Sequence, residues 1–243
     1  MGRIGKNGFI SGSVSNLVFV NRDGVNIVRS KPGAVKQSEN TKRAAGVFGY
    51  VSQRDASYRR ALMYSCKLTA DKGYAYRHRA AFHRMAVHEK KKSEDTVSLL
   101  RGNPKLMETF NFNRHLEWQK CCRFFPEVLL DQEWATVAVE LPELRWKKEV
   151  MPPAGTDAAE IRLMMFAVQP DVINSTVKLL GEWRVQVSVS SPSSAGVVEV
   201  KEIPGDHLLF LIGEIRFTPF GSPGASPLSV ISSAYLWGGK INV

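Results

Sequence analysis

A chain of 243 residues with 44% hydrophobic and 23% charged side chains has the composition of an ordinary globular protein, long enough for one large domain or two modest ones. No apolar run reaches the roughly 18 residues a membrane span needs, because the longest candidate, HLLFLIGEIRF, is broken by Glu214 and Arg216. The net charge of +10 divides unevenly: residues 1–123 carry 24 Lys and Arg against 9 Asp and Glu, a net of +15, while residues 124–243 carry 9 against 14, a net of −5. A basic half points to an acidic partner such as nucleic acid or a membrane surface, or to head-to-tail attraction between copies of the chain. The opening MGRIGKNGFISG lacks the apolar core of a signal peptide, and Lys6 stands where an acylation motif wants Ser or Thr, so a cytoplasmic protein without a membrane partner is expected.

Two β-patterned runs, residues 13–21 and 25–30, meet at Arg22-Asp23-Gly24, a turn signal in which Gly24 takes positive φ at little cost. They predict an N-terminal hairpin arm behind a glycine-rich leader. An isolated hairpin is marginal in water, so this one must pack on its own chain or on another. Val14, Leu17, Phe19, Gly24, Ile27 and Arg29 are its expected docking residues. After a polar connector, Asn40 or Thr41 serves as the expected cap of a first helix, with Val47, Val51, Tyr58, Leu62 and Met63 near helical spacing. A second helix is expected over residues 75–91, with Phe82, Met85 and Ala86 on one side, then a short helix over 94–100 and an apolar-periodic segment over 105–126.

From Trp134 the pattern changes to short strand-like runs separated by Pro, Gly, Ser, Asp and Asn clusters: ATVAVEL, EIRLMMFAV, STVKLLGEWRVQVSVS, VVEVKEI, HLLFLIGEIRFTPF and LSVISSAYLWGG. Six or seven such strands suggest an antiparallel β-sandwich. The expected class is α+β, in three parts: a leader and hairpin arm (1–36), a basic helical segment (37–126) and the β-sandwich (127–243). The glycines in GEWRVQ and GEIRF read as bulges or close approaches, and Trp183, Tyr235 and Trp237 belong either to sandwich loops or to its core.

Few residues suggest catalysis. Serine nucleophile elbows, phosphate-binding loops and dinucleotide fingerprints are absent, so neither an enzyme nor a cofactor is expected. Cys66, Cys121 and Cys122 form no disulfide framework and read as free thiols. His78, His83 and His88 are spaced by five and do not share a helix face as an i, i+4 metal pair would, so no metal site is expected. Glu94-Asp95 reads as a helix-start charge pair. Basic residues interleave with tyrosines, and Arg59, Arg60, Arg77, Arg79, Arg84, Lys90, Lys91 and Lys92 are the candidates for phosphate contact. A solvated basic helix, with the tyrosines lining a helix–helix contact, is the plainer alternative.

The stretch GFISGSVSNLVFVNRDGVNIVRSKP, with ENTKRAAGVFGYV after it, resembles the opening of an uncharacterised family common in Bacteroidota and in phage-like elements. That family carries Ser-Gly-x-Val-Gly-x-x-Val, a short turn, Gly-x-x-x-x-Arg-x-x-Pro and a helix opening at Thr. Ser11 to Val14, Gly24, Arg29, Pro32 and Thr41 match. Ser15 stands where glycine is usual, and Ala44 and Phe48 replace a Gln and an Arg. The resemblance covers residues 8–50. It implies a virion-like or assembly role, and a C-terminal sandwich similar to an immunoglobulin or fibronectin type III module fits some members. The leading expectation is therefore a non-enzymatic structural or assembly protein, phage-derived, docking through its hairpin onto copies of itself or a larger assembly. The alternative is a module that binds DNA or RNA through its basic helical half.

Overall fold

The computed structural model describes residues 2–5, 8–22, 24–31, 33, 37–88, 97–172, 177–219 and 227–241. It is a mixed α+β protein whose strand pairings within the sheets are all antiparallel. The chain divides into two compact units, Met1–Ala44 and Ala45–Val243.

The first unit is a four-stranded meander, β1 (Gly2–Ile4), β2 (Ile10–Val14), β3 (Leu17–Arg22) and β4 (Val25–Ser30), paired in that order. The hairpin expected over residues 13–30 has one turn more than its sequence pattern shows. Val14 pairs with Leu17 around Ser15-Asn16, so the run 13–21 is two strands and not one. Ser15 takes φ 52°, the first loop position where a type II′ hairpin turn favours glycine. The second turn keeps its expected place, with Arg22 opposite Val25 and Gly24 at φ 81°; Asp23 and Pro32 lie outside the described residues.

Helix α1 spans Glu39–Cys66. Ser38 caps it, its Oγ accepting the Thr41 amide at 3.2 Å, in place of the expected Asn40 or Thr41. Helix α2 spans Tyr74–Val87. Residues 97–100 are not helical, and 89–96, with Lys90 to Lys92 and Glu94-Asp95, lie outside the described residues. The segment expected to continue helically over 105–126 holds only a 3-10 turn at Pro104–Met107 and a one-turn helix α3 (Trp118–Cys121). Tertiary pairing overrides its apolar spacing. Thr109 and Phe112 donate backbone bonds to Tyr235 and Ser233, and Phe110 accepts one from Tyr235, so this stretch runs along a sheet edge.

Among the described residues, seven strands build the rest: β5 (Glu127–Asp131), β6 (Thr136–Leu141), β7 (Thr156–Val168), β8 (Lys178–Ser188), β9 (Gly196–Val200), β10 (Leu208–Pro219) and β11 (Ile231–Lys240), with a short α4 (Pro227–Val230) before the last. They form a four-stranded sheet, β11-β10-β7-β8, and a three-stranded sheet, β5-β6-β9. Strand alternation divides the core in two. Leu209, Leu211, Ile215 and Phe217 of β10 join Ile161, Leu163 and Met165 of β7 against Val137, Val139 and Val200 of the smaller sheet. Leu208, Phe210 and Ile212, with Met164, Phe166 and Val168, point the other way, onto Val51, Tyr58 and Leu62 of α1 and Phe82 and Met85 of α2. Covered on both faces, β7 and β10 read as continuous apolar runs and not as alternating ones. The switch in charge and periodicity near residue 130 therefore falls inside a compact unit whose helices share a core with its sheet.

Where the helices stop, the outer face of the four-stranded sheet turns charged. Arg162 Nη1 donates to the Cys66 carbonyl at 2.6 Å, satisfying an orphan acceptor at the end of α1, and its Nη2 meets Glu182 at 2.9 Å. Buried Glu214 accepts from Arg216 Nε at 2.9 Å and from the Thr69 amide at 3.1 Å. Gly213 lets Trp118 approach β10 closely, since a Cβ there would come within 2.6 Å of the indole and of Leu236. No helix among the described residues is long and apolar enough to cross a membrane.

Candidate functional site

The expected docking residues lie on a sheet in which no described side chain is fully buried. The register sorts them by face. Val14, Leu17 and Phe19 share one face with Ile4, Ile10 and Val28, a surface with no charged side chain. Ile27 and Arg29 occupy the opposite face, with Val20, Arg3 and Arg22, and Gly24 is the turn. Ile4 is 77% exposed, Val14 53% and Val28 52%. On its other side β4 has no partner strand among the described residues, leaving a six-residue edge.

Of the basic candidates, the structure uses two internally, turns two outward and half-buries a third. Arg59 Nε holds the buried Asp55 carboxylate at 2.8 Å. Arg77 binds Asp71 with both Nη atoms at 2.8 Å and also donates to the carbonyls of Asn111 and Phe112. Burial opposes ionisation of Asp71, yet the Arg77 bonds and the amides of Arg114 and Gly73 bring its pKa down to about 2. Arg60 and Arg84 are exposed. Arg79 lies between two exposed rings, 5.4 Å from the centre of Phe48 and 5.5 Å from that of Tyr76. Lys90, Lys91 and Lys92 lie outside the described residues.

The histidines diverge. His88 is exposed, His83 half-buried and His78 fully buried. His78 Nδ1 is 2.6 Å from Asp55 Oδ1, its Nε2 is 2.9 Å from the Tyr235 hydroxyl, and that hydroxyl is 2.8 Å from Tyr58 Oη. Burial pushes the imidazole below its ordinary pKa despite the neighbouring carboxylate, so the ring is neutral. One proton arrangement then pairs every group: Tyr58 donates to Tyr235, Tyr235 to Nε2, and Nδ1–H to Asp55. The order acid, imidazole, hydroxyl matches a catalytic relay, but Tyr58, the most exposed member, is only 3% accessible. The chain of bonds fastens α1 and α2 to β11. Cys66, Cys121 and Cys122 are likewise buried, and burial raises the Cys66 thiol to about 11. Among the described residues no cluster of His, Cys, Asp and Glu is arranged to hold a metal.

Outside this network a cleft of about 650 Å³ opens between α1, α2 and the stretch before α3. Phe48 and Phe110 supply aromatic walls, and Arg77, His83, Arg84 and Arg114 its basic groups. Its single acid, Glu117, is paired with Lys120 at 3.0 Å. Arg84 and Arg114 are exposed and carry no ion pair among the described residues. Sequence pattern does not single out Arg114, because only the pairing of residues 109–112 with β11 brings it beside α2. The Asp-x-Gly before Tyr74 is the one local signal for the Asp71 brace.

No protein-family model matches the chain, and no curated protein matches it.

Proposed function

We propose that this chain is a non-enzymatic structural or assembly protein, phage-derived and virion-like in role, that docks onto neighbouring copies of itself through its N-terminal sheet. The observation that carries this reading is a four-stranded sheet with no fully buried side chain and, among the described residues, an open edge at β4. Such a sheet has little core of its own to hold it, and an open edge accepts a further strand. A second copy is the occupant that suits an uncharged apolar face, because two such faces meet without charge repulsion even though residues 1–44 carry 8 basic against 2 acidic side chains. The resemblance of residues 8–50 to a phage-associated family supports the same role. An immunoglobulin or fibronectin type III-like reading of the second unit is supported by its strand order, with β5-β6-β9 facing the sheet that holds β7, β8, β10 and β11. Light scattering during size-exclusion chromatography tests the proposal. The full chain should elute as a defined multimer, and deletion of residues 1–33 should give a folded monomer; an unchanged oligomer after deletion sinks it.

A second reading, nucleic-acid binding by the basic half, is supported by the exposed Arg60 and Arg84, by the half-buried Arg79 set against the exposed rings of Phe48 and Tyr76, and by the exposed Tyr64. Its mark is an affinity that falls steeply with salt, alongside a raised 260/280 nm absorbance ratio in the purified protein.

A further inference from the structure

We infer that the cleft between α1, α2 and residues 109–117 is a nucleotide-binding site, with Arg84 and Arg114 on the phosphate and the Phe48–His83 wall against the base. The inference rests on the second reading above and narrows it to one place and two cations. The cleft's size lies within the range of ordinary ligand pockets, about 300–1,000 Å³. Its charge is lopsided for a structural reason. Arg77 is committed to Asp71 by two bonds, and Glu117 is engaged with Lys120. Two guanidinium groups, on Arg84 and Arg114, therefore face the cleft without an acid to balance them. Planar donors in this state bind phosphate oxygens in pairs.

The aromatic wall separates a nucleotide from a bare anion. Phe48 is 46% exposed, has Arg79 at 5.4 Å from its ring centre, and stands 5.9 Å from the His83 ring. An exposed ring between two cationic or aromatic neighbours is a stacking platform for a base. Phe110 is less open than Phe48, being half-buried with His78 and Phe112 each meeting it edge-on at 5.3 Å. One base against Phe48 and one phosphate bridged by the two arginines fit the lining, whether as a free nucleotide or as one unit of a single strand.

The test uses the full chain, fluorescein-labelled oligodeoxythymidine and oligouridine of about 12 nucleotides, and anisotropy read between about 50 and about 300 mM salt. ATP and a polyglutamate peptide serve as competitors. The Arg84→Ala, Arg114→Ala double variant should bind at least about tenfold more weakly, with a salt slope shallower by about 0.7 for each phosphate that is no longer neutralised. Phe48→Ala should weaken binding about tenfold with the slope unchanged. Lys201→Ala, an exposed lysine outside the cleft and outside the basic half, should stay within about twofold of the parent. All four positions are exposed, and unchanged melting confirms that the variants fold. Displacement by ATP assigns the site to free nucleotides, and strand binding that ATP does not displace assigns it to nucleic acid; both uphold the proposal. Equal displacement by polyglutamate overturns the nucleotide class. Steeply salt-dependent binding that none of the cleft variants alters overturns the site but leaves nucleic-acid binding standing. No binding of any probe overturns both.

Discussion

His78 is neutral because of where it sits. Asp55, Arg59, Tyr58 and Tyr235 surround it, and burial holds its pKa below the ordinary imidazole value. The unfolded chain takes up this proton near pH 6.5, while the folded chain resists it until lower pH. Its contribution to stability is therefore full above about pH 6.5 and is lost as the pH falls toward the depressed folded value. Urea unfolding at about pH 7.5 and about pH 5.5 should show the decline in the parent. In His78→Gln that part of the decline should vanish, and the variant should already be weaker by about 2–4 kcal/mol at the higher pH, with the buried Asp55 carboxylate and Tyr235 hydroxyl short of a partner. An identical pH response in both proteins would mean that the imidazole titrates freely in the fold. Ser15 makes a smaller argument, from the backbone. At φ 52° it sits where side chains are strained, so Ser15→Gly should slow amide exchange over residues 17–30, and Gly24→Ala, at φ 81°, should speed it, each by about 1 kcal/mol.

At the scale of elements, the second unit depends on contacts between distant stretches. Asp71 braces the start of α2 and the 111–114 segment together, through Arg77 and the Arg114 amide. Its carboxylate contributes stability that is full above its unfolded pKa, about 3.9, and lost as the pH falls through about 2. Asp71→Ala should cost about 2–4 kcal/mol near neutrality, because it leaves Arg77 half-buried without its acid, and should weaken acid sensitivity in the pH 2–4 range; a cost under about 0.5 kcal/mol would mark the brace as ornamental. The strands are readable because burial writes itself into alternation: Val137, Val139 and Leu141 alternate with half-buried neighbours, and the unbroken LLFLIG of β10 records a strand covered on both sides. Helices α1 and α2 are readable by the same logic at helical spacing. The turn at Ser15-Asn16 is hidden because no glycine marks its positive-φ position, which Ser15 occupies instead. The cleft is hidden for a deeper reason. Phe48, Arg84 and Arg114 come from three separate stretches, and local pattern holds no record of the hydrogen bonds between residues 109–112 and β11 that bring the third into place.

Taken as a whole molecule, the chain pairs a strongly basic first half with an acidic second half, and its N-terminal sheet carries two unlike faces. The faces answer differently to added charge, which separates self-association from attraction to an acidic surface. On the face of Val14, Leu17, Phe19 and Val28 there is no charge to balance a new one, so a lysine placed there must be desolvated unpaired when two copies meet. Val14→Lys with Val28→Lys should therefore abolish the multimer, with light scattering returning the mass of one chain. On the opposite face Arg3, Arg22 and Arg29 already stand in water or against an acidic partner. Val20→Lys with Ile27→Lys should leave the multimer intact if the apolar faces meet. The reverse pattern, with the multimer surviving the first pair and lost or strengthened by the second, would assign docking to the arginine face and hence to the acidic half of a neighbouring chain. Salt separates the two again, because apolar contact tolerates it or gains from it, whereas an arginine face against carboxylates loosens as the Debye length shrinks from about 10 Å at 0.1 M to about 3 Å at 1 M.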